Sequence, residues 1–469
     1  MTSAARTFAG ISSVVPPPGA PVRLGRAVVL GGSMAGLLAA RVLAEHAETV
    51  VVIERDPATE GRDARRGVPQ GTQVHALLRG GARQLERWFP GFAARSVAAG
   101  AQRVPAAQQA IYTDGVGRTG VFELLTSTRP FLEQQVREHV RELPGVQFRT
   151  GRVTGLEFRG GAVSGVRWTS DGSEEFLAGD LVVDASGRAS KVSDWLSAAG
   201  WAAPPLTRQV TGINCATAFF RRPPGEHAVR AGVALVRPGT GGDLGGATFT
   251  PVEDDRWIVL LAGFGSCRPG STAEDLVRRC RRDFPEPFGR VVSNELLGDV
   301  VTYHQGDSRR RDWAAAGRLP ARLLAVGDAV ASFNPVYGQG MSSAALHASC
   351  LSRVLHSDVD LDAPARGFFD LQRVVVDAAW AVSTGGDRSR PSIDQPPRGL
   401  ERVTAGLLDR IIDAAVVDPV VSRAFDAVTQ MVEHPATLFS PGVLGRSLRA
   451  RHLARPEPTP SLERATRPA

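Results

Sequence analysis

Residues 26–56 read RAVVLGGSMAGLLAARVLAEHAETVVVIERD, and this stretch decides the fold. An apolar run, a glycine turn, a helical apolar stripe and a β-branched run follow one another, which is the pattern of one βαβ unit. Gly31 serves the tight turn, and Gly36 lets the helix pack closely on the strand. Ser33 stands at the middle glycine of the G-x-G-x-x-G pattern, and its small side chain still lets a pyrophosphate approach the helix N-terminus. Glu54 ends the second strand at about the ~20-residue spacing expected of a ribose-binding acid. The stretch therefore predicts dinucleotide binding, with FAD or NAD favoured over NADP.

The amino-acid composition limits the classes of protein to which the chain can belong. A chain of 469 residues with 43% hydrophobic content can bury a large core and should hold two or three domains. Its longest apolar runs fall far short of the ~20 residues of a membrane span, so none is predicted. The four cysteines lack C-x-x-C spacing, which predicts neither a disulfide framework nor a metal site and fits a cytoplasmic protein.

The formal net charge of +7 raises the question of nucleic-acid binding. Lys191 is the only lysine, and the many arginines are spread along the chain in the manner of a high-GC coding bias. No aromatic residues interleave with a basic run, as a nucleic-acid platform would require. We therefore predict that nucleic acid is not a partner.

A glycine- and proline-punctuated loop, residues 62–78, follows the βαβ unit. Arg65 or Arg66 is expected there to reach a phosphate or ring oxygen of the cofactor, and a solvated arginine pair is the alternative. For His75, a structural or cofactor-orienting role is favoured over acid–base chemistry. Arg129 precedes a predicted helix over 131–142, and because a cation gains nothing from the helix dipole there, a bound anion is expected.

Strands are predicted at 108–113 and 121–125 around the Asp114-Gly115 turn, and a meander is predicted over 146–156, 162–169 and 175–177. A buried strand, residues 180–184, then runs into the turn ASGR. A further set of strands is predicted at 210–220, 247–251 and 256–264, where a substrate platform would sit.

A second informative stretch, residues 323–346, reads LLAVGDAVASFNPVYGQGMSSAAL. Asp328 follows a buried strand and is placed to accept hydrogen bonds from sugar hydroxyls. The loop through Pro335 leads to Gly338, and the amides of Gly340 and Met341 open a helix whose N-terminus suits an electron-rich ring carbonyl. From about residue 365 onward the pattern is mainly helical.

Three stretches together, GGSMAG with Glu54, DASGR after a buried strand, and GDAVASFNPVYGQGM, resemble the FAD-dependent monooxygenases of the p-hydroxybenzoate hydroxylase fold. ARRGVPQGTQVHALL, TRPFLE and NPVYGQGM are similar to stretches of the actinobacterial flavin epoxidases of polyether biosynthesis. Gln73 stands where relatives often carry a histidine. The resemblance implies an α/β fold, with a Rossmann-like FAD-binding domain, an inserted β-sheet substrate domain and a C-terminal helical region.

The domain boundaries expected from this resemblance are 1–25 for a disordered N-terminal tail, 26–206 for the first part of the FAD-binding domain with a small strand pair near 100–125, 207–305 for the substrate-domain sheet, 306–364 for the GD segment of the FAD-binding domain, and 365–469 for a helical cap and tail. The residues expected to contact FAD are Gly31, Gly32, Ser33, Met34, Ala35, Gly36, Glu54, Arg55, Arg65, Arg129, Val153, Asp328, Pro335, Gly338, Gly340 and Met341. Val153 is assigned to the adenine through its backbone.

The implied activity is insertion of one oxygen atom, by epoxidation or hydroxylation through a flavin C4a-hydroperoxide, into an apolar polyketide, polyene or terpenoid of secondary metabolism. Molecular oxygen and an apolar small molecule are the implied substrates. DASGR does not match the DG motif that serves NADPH in the hydroxylases, so NADPH or NADH is expected to act directly or through a separate flavin reductase. No catalytic side chain is assigned. A reductase or dehydrogenase acting on a prenyl-type chain, a flavin halogenase and a non-catalytic flavin-binding protein are the alternatives.

Overall fold

The computed structural model describes residues 2–16, 18, 23–56, 69–75, 77–225, 227–236, 244–357, 360–388 and 399–450. Arg65 and Arg66, with the loop that carries them, lie outside the described residues. The helices are α1 Ser3–Ile11, α2 Met34–Leu43, α3 Arg79–Trp88, α4 Phe92–Ala98, α5 Arg129–Arg141, α6 Val192–Ala198, α7 Ala273–Asp283, α8 Glu286–Val291, α9 Gln339–Leu355, α10 Arg366–Arg388, α11 Leu400–Val417, α12 Pro419–Thr429 and α13 Pro441–Arg449. The strands are β1 Leu24–Leu30, β2 Ala47–Glu54, β3 Gln102–Val104, β4 Gln109–Thr113, β5 Val116–Thr119, β6 Leu124–Thr126, β7 Val146–Thr150, β8 Arg152–Arg159, β9 Ala162–Ser170, β10 Ser173–Ala178, β11 Leu181–Asp184, β12 Leu206–Arg221, β13 Ala231–Leu235, β14 Leu244–Val252, β15 Arg256–Gly263, β16 Leu296–Arg311, β17 Leu323–Ala325 and β18 Ala331–Ser332.

A parallel sheet with the strand order β17-β11-β1-β2-β7 forms the centre of the first domain. Its middle strands read as apolar runs because both faces are covered; Val28, Val51 and Val182 are all fully buried. Helix α2 crosses from β1 to β2 and packs against α9. Gly36 permits the close approach of α2 to the end of β1, since a Cβ there would lie 1.9 Å from the carbonyl oxygen of Gly31. The predicted βαβ unit is thus confirmed.

A large mixed sheet with the strand order β18-β16-β12-β15-β14-β13-β4-β5 forms the second layer. Phe220, Phe249 and Trp257 project from it to one face, where they pack with Phe288 of α8 and Leu276 of α7. The opposite face carries a separate apolar cluster and looks toward the parallel sheet's strand ends. Together with the helices α10 to α13, these two sheets confirm the predicted α/β class with an inserted sheet and a helical C-terminal region.

The N-terminal tail was expected to be disordered, and this expectation is wrong for Ser3–Ile11, which form α1. Thr2 caps the helix by accepting from the amide of Ala5, and Phe8 and Ile11 are buried, each 1% exposed. The buried apolar residues of α1 recur every three positions, so they lie on one face of the helix. This face packs on α9 and α10.

A small strand pair near 100–125 is present, formed by β3 and β6, but the predicted pairing of 108–113 with 121–125 is wrong. Asp114 and Gly115 both have positive φ, as a two-residue hairpin turn requires, so β4 pairs with Val116–Thr119 rather than with residues 121–125. The resulting hairpin belongs to the large mixed sheet, where β4 runs parallel to β13, and not to the first part of the FAD-binding domain.

Two further strand predictions need correction. The run 146–156 is not one strand: β7 pairs with β2 in the parallel sheet, and the chain then changes sheets at Gly151 to begin β8. Strand β16 was not predicted because most of its residues are half-buried or exposed, so it lacks an apolar run. At the C-terminal side, α10 begins at Arg366 and ends at Arg388, in agreement with the helical pattern predicted from about residue 365 onward. Over the part of the chain that the structure describes, no helix is long and apolar enough to cross a bilayer.

Candidate active site

The glycine turn between β1 and α2 is the first component of the site. Gly31 has φ +103°, which an L side chain rarely adopts, and its N–H donates to the carbonyl of Ile53 (2.8 Å). The N–H of Gly32 donates to Oε2 of Glu54 (2.8 Å), so the carboxylate lies directly beside the turn. Ser33 is the N-cap of α2 but makes no side-chain capping bond. The amides of the first helical turn therefore keep no serine oxygen as a partner and remain suited to an anion.

A charged cluster on α5 faces this turn. Ser33 Oγ donates to Glu133 (2.6 Å), and Arg137 donates both to Glu133 (3.1 Å) and to the carbonyl of Gly32 (2.6 Å). Arg129 reaches Ser33 Oγ from the other side (3.4 Å). Glu133 and Arg137 were not singled out in the sequence, although the i, i+4 spacing of Arg129 to Glu133 and of Glu133 to Arg137 was a usable signal.

Arg129 begins α5, as expected. Thr128 caps the helix, and its amide and hydroxyl donate to the buried carboxylate of Glu253 (3.0 and 2.5 Å), which fixes where Arg129 projects. The buried Nε of Arg129 has no hydrogen-bond partner among the described residues. A cation held at a helix N-terminus, with one donor unused, is what the predicted anion site requires.

His75 lies against Arg129. The guanidinium Nη1 donates to Nε2 of the imidazole (3.2 Å), so the ring proton is on Nδ1, which donates to the carbonyl of Gln73 (2.9 Å). Burial, and then the charge of Arg129, lower the pKa of His75 to about 3. A ring fixed as one neutral tautomer orients Arg129 and is unsuited to proton transfer near neutral pH, in line with the predicted orienting role.

The GD turn after β17 comes to the same place. Gly327 has φ +61°, and a Cβ there would lie 2.5 Å from the Cβ of Ala35, so the turn packs on the first turn of α2. The half-buried carboxylate of Asp328 receives no hydrogen bond from any described residue. Burial raises the pKa of Asp328, and the charges of Arg129 and Arg188 offset part of this effect.

His347, on α9, positions the GD turn and was not predicted. Its Nδ1 accepts from the amide of Gly327 (3.0 Å), and its Nε2 lies 3.4 Å from Ser343 Oγ. The side chain is fully buried, and burial lowers its pKa to about 3. The ring therefore acts as a neutral hydrogen-bond acceptor for a turn amide, a role that no local sequence pattern reveals.

The loop that follows the GD turn leads directly into α9. Asn334 Oδ1 accepts from the amide of Val336 (3.1 Å), Pro335 begins a short 3₁₀ turn, and Gly338 has φ +64° at the helix N-cap. A Cβ on Gly340 would find only Oδ1 of Asp328 nearby, at 3.9 Å. The side-chain amide of Gln339 is buried with both polar atoms unpartnered. The helix start is thus open toward Asp328.

An apolar surface of the large mixed sheet faces this loop. Val336 packs against the cluster that contains Ile213, Cys215, Phe264 and Tyr303. Burial raises the pKa of Tyr303, whose hydroxyl donates to Oε1 of Gln305 (3.3 Å). Because Val336 belongs to the loop that follows the GD turn, this apolar surface borders that loop.

The turn of the DASGR stretch is a structural support at the edge of the site. Asp184 is fully buried and accepts from the amide and hydroxyl of Ser186 and from the hydroxyl of Ser190. Arg188 donates to Ser332 (3.0 Å) and pairs with Asp307, so it ties this turn to β16 and β18. Lys191 is exposed and pairs with Asp194 on the surface.

The remaining predicted contact residues divide into two groups. Met34 and Met341 are buried at the starts of α2 and α9, close to the two turns. Val153 lies in β8, which starts next to Glu54 because the amide of Gly151 donates to the Glu54 carbonyl (2.9 Å). Arg55 differs, since its side chain is 60% exposed and Asp56 is its ion-pair partner among the described residues (3.8 Å).

The comparisons with known proteins agree with this geometry. Residues 26–367 match the family model described as an FAD binding domain. Protein Rv3254 of Mycobacterium tuberculosis is 32% identical over 446 residues, covering 90% of this chain and 93% of that protein. Kynurenine 3-monooxygenase of Salinispora arenicola is 26% identical over 409 residues, covering 77% and 84%. The solved structure of the flavin-dependent brominase Bmp2 superposes with a TM-score of 0.64 at 15% identity, covering 90% of this chain and 97% of that one, which bears on the fold alone.

Proposed function

Because the chain belongs to the FAD binding domain family, among its FAD-dependent monooxygenases, we propose that it inserts one oxygen atom into an apolar polyketide, polyene or terpenoid, by epoxidation or hydroxylation. The observation that carries this proposal is the apolar surface of the large mixed sheet, which packs against Val336 in the loop that follows the GD turn. In this proposal the parallel-sheet domain and the GD segment 306–364 hold FAD, the large mixed sheet holds the substrate, and the helices α10 to α13 cover the site.

The residues present fit FAD. The anionic pyrophosphate suits the first turn of α2, where Arg129 keeps an unused buried Nε–H. Glu54 lies beside that turn, where it would accept from the ribose. Asp328, a carboxylate to which no described residue donates, would accept from a ribityl hydroxyl. The unobstructed start of α9 at Gly340 and Met341 leaves room for the flavin ring.

The residues around the proposed flavin site would each have a physical role. The N-terminus of α9 would stabilise negative charge on a reduced ring, because a helix N-terminus carries a partial positive charge. Pro335 offers a rigid surface without an N–H group toward the reacting position. The neutral ring of His75 holds Arg129 in place. FAD, when bound, supplies the activation of oxygen, with electrons from NADPH or NADH, directly or through a separate flavin reductase.

The apolar sheet surface argues for an apolar substrate. Ile213, Cys215, Ala262 and Phe264 are each at most 3% exposed and carry no charge. Tyr303 is the residue of this cluster that brings a hydroxyl group, and that group already donates to Gln305. The half-buried members Leu260, Tyr303 and Val336 would bury further apolar area against a hydrocarbon, and the cluster would leave the charged head of an amino-acid substrate without partners.

The halogenase alternative is disfavoured by the position of Lys191. This lysine is the only one in the chain, and its side chain is 65% exposed and engaged with Asp194 on the surface. No lysine is therefore placed to meet a halogen species within the site. The reductase or dehydrogenase alternative predicts a product that takes no oxygen atom from molecular oxygen.

The test uses the reduced holoprotein, an alkene-bearing apolar compound and ¹⁸O-labelled molecular oxygen. The expected product carries one labelled oxygen atom, as measured by mass spectrometry. A product without the label, or one formed equally well without oxygen, would contradict the proposal and favour the reductase or dehydrogenase.

A variant at the proposed apolar surface sharpens this test. Val336→Thr places a hydroxyl on that surface with little change of volume, so KM for the apolar substrate should rise while FAD affinity is kept. Val301→Thr, on β16 at a position 38% exposed, is the matched control and should change neither quantity. An unchanged KM in Val336→Thr would refute the assignment of the substrate to this surface.

A further inference from the structure

Three potential metal ligands meet at the end of the parallel-sheet domain opposite the flavin site. Glu45 and His46 lie in the turn between α2 and β2, and His356 is the C-cap residue of α9. One ligand atom from each of the three lies within 4.8 Å of the others. The two histidines are far apart in sequence, which is why spacing rules did not indicate the cluster.

His46 is the central residue of this cluster. Its side chain is fully buried, and neither ring nitrogen has a hydrogen-bond partner among the described residues. Leaving a buried polar group unsatisfied destabilises the fold, and a phenylalanine in the same place would avoid this cost. The ring meets His356 edge-on, with centroids 4.7 Å apart at 89°. A fully buried imidazole that faces a second imidazole, with both nitrogens unused, calls for a ligand.

His356 is already oriented for ligation. Its Nδ1 lies 2.7 Å from the carbonyl oxygen of Ser352, so the proton is on Nδ1 and the lone pair is on Nε2. Histidines that bind metals commonly donate their other ring N–H to a backbone carbonyl, which fixes the tautomer and the ring orientation. The contact with Ser352 is therefore the outer-shell bond that such a ligand needs.

Glu45 supplies the anionic ligand. Its Oε1 accepts from Arg41 (2.8 Å), while no hydrogen bond of the described residues engages Oε2. The nearby Arg23 directs its Nη1 to the carbonyl of Ser357 (3.1 Å). The C-terminal ends of α2 and α9 also converge here, and their partial negative charge favours a cation.

We propose that Glu45, His46 and His356 bind a divalent zinc-type ion, with water as the fourth ligand. Two imidazoles and one carboxylate form a ligand set that zinc accepts in tetrahedral geometry. Zinc–nitrogen bonds of about 2.0–2.1 Å place tetrahedral ligands roughly 3.4 Å apart, so the side chains would close in by about 1 Å.

The ion would act as a structural clip. Helix α2 has 10 residues, so at ~1.5 Å per residue its two ends are separated by about 15 Å. The ion therefore lies far from the flavin ring, and it would join the C-terminal ends of α2 and α9, whose N-terminal ends form the FAD site. Metal content and thermal stability report on this ion, and neither measurement depends on enzymatic turnover.

The test uses tag-free, FAD-loaded protein dialysed against a low concentration of Zn²⁺, with bound metal measured by elemental analysis and the melting temperature by circular dichroism. The expected result is one zinc per chain and a higher melting temperature with zinc than with EDTA. His46→Phe keeps the buried ring and removes both nitrogens, so zinc affinity should fall at least about a hundredfold. Glu45→Gln, at a half-exposed position that tolerates change, should weaken binding by about tenfold.

His227→Ala, at a half-buried histidine outside the cluster, is the control and should bind zinc like the unaltered protein. Retained FAD absorbance shows that each variant is folded. Binding of less than one zinc ion per chain by the unaltered protein would overturn the proposal. Equal zinc binding by His46→Phe and the unaltered protein would overturn it as well.

Discussion

Replacing Asp328 by Asn tests the carboxylate assigned to the ribityl chain, because this change keeps the shape of the side chain and removes its charge. A hydrogen bond to a charged group contributes about 1.5–3 kcal/mol. At 1.4 kcal/mol per tenfold change, the dissociation constant of FAD should rise by roughly 10- to 150-fold. Quenching of flavin fluorescence on titration of the apoprotein measures this constant.

The same substitution should stabilise the apoprotein. Burial raises the pKa of Asp328, so its ionised form is disfavoured in the folded state. The cost to folding grows as the pH rises from the ordinary carboxyl pKa through the raised value, and it is complete above that value. Asn carries no such cost. Urea unfolding of the two apoproteins should therefore show a larger advantage for Asp328→Asn at pH 8 than at pH 5.

Asp426→Asn serves as the control for this experiment. Asp426 pairs with Arg118 away from the flavin site, so its loss should destabilise the protein and leave FAD affinity unchanged. Unchanged FAD affinity in Asp328→Asn would refute the cofactor role of Asp328. An apoprotein of this variant that is less stable than the unaltered one at pH 8 would refute the electrostatic reasoning.

Three further changes test individual contacts. Gly36→Ala puts a Cβ 1.9 Å from the carbonyl of Gly31 and should lower the free energy of unfolding by about 3 kcal/mol, whereas Gly442→Ala, with open space around its Cβ, should have little effect in the same thermal denaturation. Glu133→Ala removes the carboxylate beside the buried side chains of Arg129 and Arg137 and should cost about 3 kcal/mol in urea unfolding; a loss below 1 kcal/mol would mean that the cluster is solvated. His347 stays neutral in the fold, with its pKa at about 3, while the unfolded chain takes up a proton below about pH 6.5, so the protein should lose about 1.4 kcal/mol between pH 7.5 and 5.5 through this ring. His347→Gln should lack that loss, and equal pH dependence of the two proteins would contradict the assignment.

The parts of the fold that the sequence predicts are those set by local patterns. The β1–α2–β2 unit and the GD stretch carry their glycines, apolar runs and acids within short windows, and both were placed correctly. The strand predicted to pair with β4 across the Asp114-Gly115 turn was wrong, because the more apolar run at 121–125 was preferred over the residues that directly follow the two-residue turn. Strand β16 escaped notice because one of its faces is largely exposed.

The site was predicted less completely than the fold, for a related reason. Residues that would touch the cofactor stand in recognisable positions, whereas the residues that hold them in place act across long sequence distances. Glu253 fixes the start of α5, and His347 holds the amide of Gly327 from the next helix. A buried glutamate or histidine has many possible partners, so only the tertiary structure identifies the one it has.

The unsatisfied polar groups at the flavin site indicate that cofactor binding and folding stability are linked. Most buried polar groups in folded proteins have a hydrogen-bond partner. Here Nε of Arg129 and the amide of Gln339 have none, and Asp328 receives no donor from the described residues. If FAD supplies these partners, a concentration of about 100 times its dissociation constant should stabilise the fold by about 2.7 kcal/mol. Urea unfolding with and without FAD measures this gain. A gain that persists undiminished in Asp328→Asn at the same FAD concentration would mean that the cofactor is held by other groups, because weaker binding must reduce the stabilisation.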